Sequence, residues 1–477
     1  MLIIGEDFLT LGGTDAKMGS FEHCWGCLLL MNLPPSTLLK NKGDVIMERL
    51  SILIFLLLFF LSNVSASSCW IVDYGESLED ALVTSEGRVF AVGSSVLSVN
   101  LRGEPLWAIT TARRDIKIHR IAFTSEKDLV VAGKGFIAKF SQTGDPLWMK
   151  KLNAMDIATT PNGEIIFVSG NMLVSLTPEG QIKWVKKAMK QNQSSLEFSG
   201  VTASEDKIFV VGYTFAPGED YNAWIAAFDF EGNIIWQRAI DLGYDEFVDK
   251  VDVSNVSAVV AGVSGSQHTP WIGEYFVIKL DREGNLIWAR EFLPLNLSEK
   301  ISESIFWSIK INDVDCNLNG QCLIGGNFVT LLLDESGGLS WAKGFSSNGV
   351  ALTDSLAISA KNVILAFPVN GSGSIGRDVQ VVFSEISPKL IPSKFEFQNA
   401  SLALENASIN FVPLIAHGEF LYYNQNCSQL QSSLNTKESF VLSSATPEQT
   451  TTSREICGPG FMLLILLIFL VKRLFKD

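Results

Sequence analysis

Six times in this chain a glycine stands four residues before a tryptophan: Gly103 and Trp107, Gly144 and Trp148, Gly180 and Trp184, Gly232 and Trp236, Gly284 and Trp288, Gly337 and Trp341. Successive tryptophans lie 41, 36, 52, 52 and 53 residues apart. A unit of that size cannot bury its own apolar face, so units must stack on one another, and the period is that of a propeller blade with its loops. Between the tryptophans the pattern is β throughout. Ile208–Tyr213, Trp224–Asp229 and Gly232–Trp236 are short runs rich in Val, Ile and Phe, separated by Gly, Asn and Asp turns, as hairpin strands are. A second glycine recurs in the strand before each hairpin, at Gly93, Gly133, Gly170, Gly212, Gly262 and Gly326. Glycine within a strand points to close approach of another backbone, expected near a crowded central axis.

The last unit runs from Trp341 through Val363–Phe367 to Val379–Phe383 and then has Ser387-Pro388 where its tryptophan strand should be. Trp70-Ile71-Val72-Asp73-Tyr74, far upstream, is a tryptophan strand without a hairpin partner before it. Placing that strand beside the incomplete unit closes the ring and removes exposed sheet edges that invite aggregation. Counting Trp70, seven tryptophan strands serve seven units. The expected fold is all-β: a seven-bladed propeller over residues 67–387, closed by its N-terminal strand. Residues 388–440 lose the repeat and read as a small β appendage, with Phe395–Phe397, Ile409–Val412 and Phe420–Tyr423 as strands.

The ends read differently. Met47-Glu48-Arg49, the apolar run Leu50–Leu61, and small residues at Val64-Ser65-Ala66 follow the order of a secretory signal over residues 47–66. Twelve residues, apolar apart from Ser51, are too few to span a hydrocarbon core of about 30 Å. Residues 1–46 then read as an upstream extension that is not native, and Cys24-Trp25-Gly26-Cys27 within it lacks a second ligand pair. At the other end, residues 441–456 form a Ser/Thr-rich stalk, and Phe461–Val471 is an apolar run followed by Lys472-Arg473, the order of an outside-to-inside anchor. The expected address is the cell surface, with most of the chain extracytoplasmic and the membrane reached through the C-terminal tail.

That address permits disulfides and glycans. Cys316 and Cys322 bracket one tight loop and are expected to pair, and Cys69 with Cys427 would tie the first strand to the last segment. Asn192, Asn255, Asn296, Asn370, Asn399, Asn406 and Asn426 stand in Asn-x-Ser sequons. The formal charge of −14 falls wholly on residues 67–456. Nucleic acid is therefore not expected as a partner, since phosphate binding needs clustered Lys and Arg.

Two resemblances add to this. Cys457-Gly458-Pro459-Gly460-Phe461, between a Thr-rich stalk and an apolar run with a basic end, resembles the CGP-CTERM sorting tail of archaeal surface proteins. The resemblance implies processing of residues 457–477 and makes Cys457 the candidate lipid-attachment point. Asp229–Trp236 and Asp281–Trp288 resemble the repeat of PQQ-like propellers, in which an Asp, a Gly and a Trp close each unit and the tryptophan packs between blades. That resemblance implies fold, and fold does not imply activity.

Chemistry is sparse in the sequence. The adjacent cysteine pair of quinoprotein dehydrogenases is missing, His119, His268 and His417 stand far apart, and neither a Gly-x-Ser-x-Gly elbow nor a phosphate loop occurs. Asp313, Asp315, Asn317 and Asn319, alternating before Gly320, are a calcium candidate, although the twelfth position from Asp315 is Gly326 and supplies no closing carboxylate. No other cofactor is expected. The favoured reading is a non-enzymatic surface propeller that presents loops to an extracellular ligand or protein, with Glu219, Asp220, Tyr221, Gln267, His268 and Trp271 in long loops. A quinone- or sugar-processing enzyme and a purely architectural envelope protein are the alternatives.

Overall fold

A computed structural model describes residues 69–441, apart from 112–115, 190–193, 216–219, 255–256, 266–272, 295–308, 370–380, 394, 408–410, 415–416 and 425–437. The signal segment, stalk, sorting tail, Cys427 and Cys457 lie outside the described residues. Seven antiparallel sheets are arranged as blades of a propeller. The innermost strand of each blade packs on that of the next, and the innermost strand of blade 7 packs on that of blade 1, so the ring is closed. Blade 1 holds Leu78–Val83, Val89–Gly93, Ser95–Val99 and Pro105–Thr111. Blades 2 to 6 repeat the four-strand meander and begin at Ile118–Phe123, Asp156–Thr159, Ser195–Ala203, Glu246–Ser254 and Ile311–Cys316.

Blade 7 consists of Gly349–Leu352, Leu356–Ala360 and Val363–Pro368, completed by Cys69–Asp73. Trp70 pairs with Ala366 and Val72 with Ile364. The N-terminal strand therefore closes the ring as expected, but beside a different neighbour. Val381–Glu385, read from sequence as part of the last unit, pairs instead with Leu286–Pro294 of blade 5. The inner strands of blade 7 are only four and five residues long and meet through the polar turn at Thr353-Asp354-Ser355.

The tryptophan repeat is an inter-blade lock at one end of the ring. All seven indole N–H groups donate to a backbone carbonyl of the following blade's turn: Trp70 to Leu101, Trp107 to Gln142, Trp148 to Pro178, Trp184 to Phe230, Trp236 to Arg282, Trp288 to Glu335 and Trp341 to Val369, at 2.7–3.0 Å. The six repeat glycines take φ between +76° and +88°, a conformation that glycine adopts at little cost. Each lies under the indole of the preceding blade. A Cβ on Gly284 would come within 2.7 Å of the Trp236 ring, so the close packing also requires glycine.

The segment read as a small appendage does not stand apart. Val381–Glu385, Lys389–Pro392, Phe397–Asn399, Glu405–Asn406 and Phe411–Pro413 add a fifth strand to blades 5, 4, 3, 2 and 1 in turn. His417–Asn424 then pairs with Cys69–Asp73 on blade 7, and Glu438–Val441 lies outside it. After the last blade the chain thus runs backwards around the rim as a belt. The physical reason is the outer strand of each blade, whose unpaired N–H and C=O groups accept any short extended segment. The strand carrying Trp70 consequently lies between two partners and is not an edge.

Candidate functional site

The second-strand glycines position the axis. A Cβ on Gly93, Gly212 or Gly262 would lie 1.8–2.2 Å from the carbonyl oxygen of Ser77, Glu197 or Phe247 respectively. Those carbonyls enter β-bulges, in which the innermost strand carries one extra residue opposite the glycine. Blades 2 and 6 have the same bulge. The extra residues are Glu79, His119, Ser199, Asp249 and Asn312, all polar, and each reaches the next blade. His119 Nε2 lies 2.8 Å from the Ala154 carbonyl, Ser199 Oγ donates to Val248 O at 2.5 Å, and Asn312 Nδ2 donates to Ser347 O at 2.8 Å. Asp249 Oδ2 accepts Ile311 N–H at 3.0 Å, and Glu79 forms a 3.6 Å ion pair with Lys117.

The residues after the five bulges, Asp80, Arg120, Gly200, Lys250 and Asp313, form a second layer of the axis with Asp156 and Gly349, which open the innermost strands of blades 3 and 7. Here too carboxyls bind backbone amides of a neighbouring blade. Asp80 accepts Ile121 N–H at 3.0 Å, Asp156 accepts Val201 N–H at 3.1 Å and Asp313 accepts Val350 N–H at 2.8 Å. A third layer repeats the device, with Asp252 accepting Cys316 N–H at 2.7 Å and Asp315 accepting Leu352 N–H at 2.5 Å. Burial pushes the Asp80 carboxyl up and holds Asp313 and Asp315 well above the usual carboxylate range, and it pushes Asp249 and Asp252 up to about 6. The two cations of the second layer share one partner. Asp156 Oδ1 lies 3.0 Å from Arg120 Nε and 3.2 Å from Lys250 Nζ. Burial and the Arg120 charge pull the Lys250 ammonium down.

Above these layers, at the end of the ring away from the tryptophan locks, the axis opens into a cleft of about 720 Å³ that spans blades 2 to 6. Its floor is Arg120, Lys250 and Asp249, and Lys134 and Lys310 stand on opposite flanks, on blades 2 and 6. The wall of blades 4 and 5 is aromatic. Tyr213 and Phe247 line the cleft with ring centroids 5.5 Å apart, and Tyr221 lies 4.9 Å from both Phe247 and Phe215. Tyr213, Tyr221 and Phe247 are half-buried, and Phe215 is exposed. The strand register explains the cluster: Glu197 opposes Tyr213, and Tyr221 is fastened by a bond from its N–H to Asp245 Oδ1 at 2.9 Å and one from Glu246 N–H to its carbonyl at 2.8 Å.

The expected site residues fall in several places. Cys316 and Cys322 form a disulfide across the first hairpin of blade 6, where they are directly paired. Asp313 and Asp315 lie on a strand, not a loop, and hold amides of blade 7; Asn317 accepts Gln321 N–H at 3.0 Å and closes the hairpin. No group of three or more His, Cys, Asp or Glu that could hold a metal occurs among the described residues. Cys69 pairs through its backbone with Asn424, three residues before Cys427. Tyr221 belongs to the aromatic wall, while Glu219, Gln267, His268 and Trp271 lie outside the described residues. Sequence reading singles out Asp313 and Asp315 but not Asp80, Arg120, Asp156 or Lys250. A signal existed: Asp80, Arg120, Lys250 and Asp313 stand 12 or 13 residues before the recurrent glycines Gly93, Gly133, Gly262 and Gly326.

No protein-family model and no curated protein matches the chain. Among solved structures it is similar to a chain of the mitotic checkpoint complex, with 8% identity, a TM-score of 0.45, and coverage of 62% of this chain and 91% of that one. It is also similar to the Pan2 WD40 domain of Neurospora crassa, with 13% identity, a TM-score of 0.46, and coverage of 63% and 95%. A Bacteroides caccae protein of unknown function aligns with 13% identity, a TM-score of 0.33, and coverage of 46% and 93%. Likeness of that degree says nothing about activity. The seven closed sheets by themselves define the molecule as a seven-bladed β-propeller.

Proposed function

We propose that this propeller is a non-enzymatic binding protein held at the outer face of a cell, and that the axial mouth is its ligand site. One observation carries the reading: the open end of the axis joins partly exposed aromatic rings to side chains of both signs in one cleft of about 720 Å³, within the range of roughly 300–1,000 Å³ of small-molecule sites. The carboxyls of the axis are committed to backbone amides of neighbouring blades, which suits a stiff frame for binding better than acid–base chemistry. The secretory signal at 47–66 and the CGP-type tail at 457–477 support the surface address, and the Asp-Gly-Trp turns support kinship with PQQ-like repeats.

A thermal-shift screen of the purified full chain against saccharides, organic acids and short peptides tests the site. Ligands that raise the midpoint should lose their effect in Tyr213→Ala and keep it in Leu318→Ser, an exposed position at the opposite end. The reverse pattern rejects the mouth as the site. For the address, protease added outside intact cells should degrade the propeller, and full protection contradicts it.

A further inference from the structure

We infer that the mouth takes an acidic sugar, a ring with one flat C–H face and a carboxylate on its edge. The inference rests on reading the mouth as the binding site.

The wall sets the shape of the ligand. Tyr213 and Phe247 offer aromatic surface inside the cleft, and Tyr221 and Phe215 continue it towards the rim, with Phe215 38% exposed. Four neighbouring rings left partly open to water form a platform for flat apolar faces. Hydrocarbon is a poor match, because Asn153, Ser199 and Ser264 bring amide and hydroxyl groups to the same cleft. A pyranose meets both demands, with C–H bonds on its faces and hydroxyls around its edge.

The charges set its sign. The chain carries −14, yet the cleft gathers Arg120, Lys134, Lys250 and Lys310 against the carboxyls of Asp245 and Asp249. Both carboxyls are already engaged, Asp245 by Tyr221 N–H and Asp249 by Ile311 N–H. In the floor, the single Asp156 carboxylate accepts a hydrogen bond from Lys250 Nζ and forms an ion pair with Arg120. Among the described residues, the Nζ atoms of Lys134 and Lys310 have neither a hydrogen bond nor a salt bridge. A carboxylate at the mouth would therefore meet the exposed ammoniums of Lys134 and Lys310 on either flank, an arrangement that favours charge-assisted hydrogen bonds.

Titration calorimetry of the full chain with digalacturonate, its neutral counterpart galactobiose, and hexaglutamate provides the test. Digalacturonate should bind, and galactobiose should bind at least about tenfold more weakly, the worth of one charged hydrogen bond. The Lys134→Ala/Lys310→Ala variant alters only exposed side chains, so it should keep the wild-type thermal midpoint and lose about tenfold in digalacturonate affinity. Tyr213→Ala should weaken both sugars. No heat with digalacturonate, equal affinity for galactobiose, an unaffected double-lysine variant, or equal competition by hexaglutamate overturns the proposal. If some other ligand binds and Tyr213→Ala removes it, the mouth stands and only the acidic-sugar class falls. If Tyr213→Ala leaves all binding intact, the reading of the mouth falls as well.

Discussion

The inner ring joins all seven blades and the outer belt six of them, by opposite means. Along the axis, side chains reach from one blade to the next at defined positions, with carboxyls receiving backbone amides and buried Asp156 shared by Arg120 and Lys250. Around the rim, segments of two to eight residues add backbone pairing to whatever outer strand they meet, with no repeat of their own. The inner ring depends on particular side chains, and the belt depends mainly on being extended. Removing one partner of a buried charge cluster leaves an uncompensated charge, whereas losing one rim contact leaves the remaining pairing in place.

The sharpest contrast should come from substitution at the axis. Asp156→Ala strands Arg120 and Lys250 together and should cost about 3–5 kcal/mol in denaturant unfolding. A cost below about 1 kcal/mol, the range of exposed pairs, would erase the distinction.

Acidity separates the two regions next. Burial holds Asp249 and Asp252 up to about 6, above an ordinary value near 4, so the folded state binds protons more tightly than the unfolded chain. Their contribution is fully present below about pH 4 and lost as pH rises through about 6. The full chain should therefore melt at a higher temperature at pH 5 than at pH 7.5. Asp249→Asn/Asp252→Asn should lessen that dependence, with Glu246 and Glu291, also raised by burial, retaining the rest, and a midpoint that falls on mild acidification contradicts the assignment.

At the rim, Phe397 stacks on Phe198 and meets Phe228 edge-on. Phe397→Ala should cost about 1–2 kcal/mol, less than a fully buried ring because its site stays partly open. A loss as large as that of Asp156→Ala would make the belt an equal partner of the axis. The smallest effect belongs to the turn of blade 2, where Lys127 takes φ +66° in a position that Gly87 and Gly163 fill in blades 1 and 3. Lys127→Gly should stabilise by about 0.5–1 kcal/mol through relief of the left-handed strain, with no change in either region.

The same contrast explains what was legible in the sequence. Tryptophan at a fixed point in each unit, glycine four residues before it, and the orphan strand at Trp70 disclosed blade number and closure, because a lock between identical neighbours must use the same residue each time. The belt was opaque. Phe397–Asn399 or Glu405–Asn406 has too few residues for an alternation pattern, and its partner lies over 200 residues away in the chain. The axial charges were half hidden: Asp313 and Asp315 were noticed but read as a loop, because alternating carboxyls on a strand that faces a polar axis look like alternating ligands in a turn. The aromatic wall was missed except for Tyr221, since Tyr213, Phe215 and Phe247 lie in ordinary apolar strands and meet only when blades 4 and 5 adjoin.

Ring closure supports both regions, because the strand Cys69–Asp73 completes blade 7 on one side and receives the belt on the other. Hydrogen exchange of the native full chain, read at Trp70–Asp73, tests it most directly. With hydrogen-bonded neighbours on both sides, these amides should exchange only with global unfolding, as slowly as Val89–Val92 in the core of blade 1. Exchange at the rate of a frayed terminus would show that the ring is not held shut by this strand.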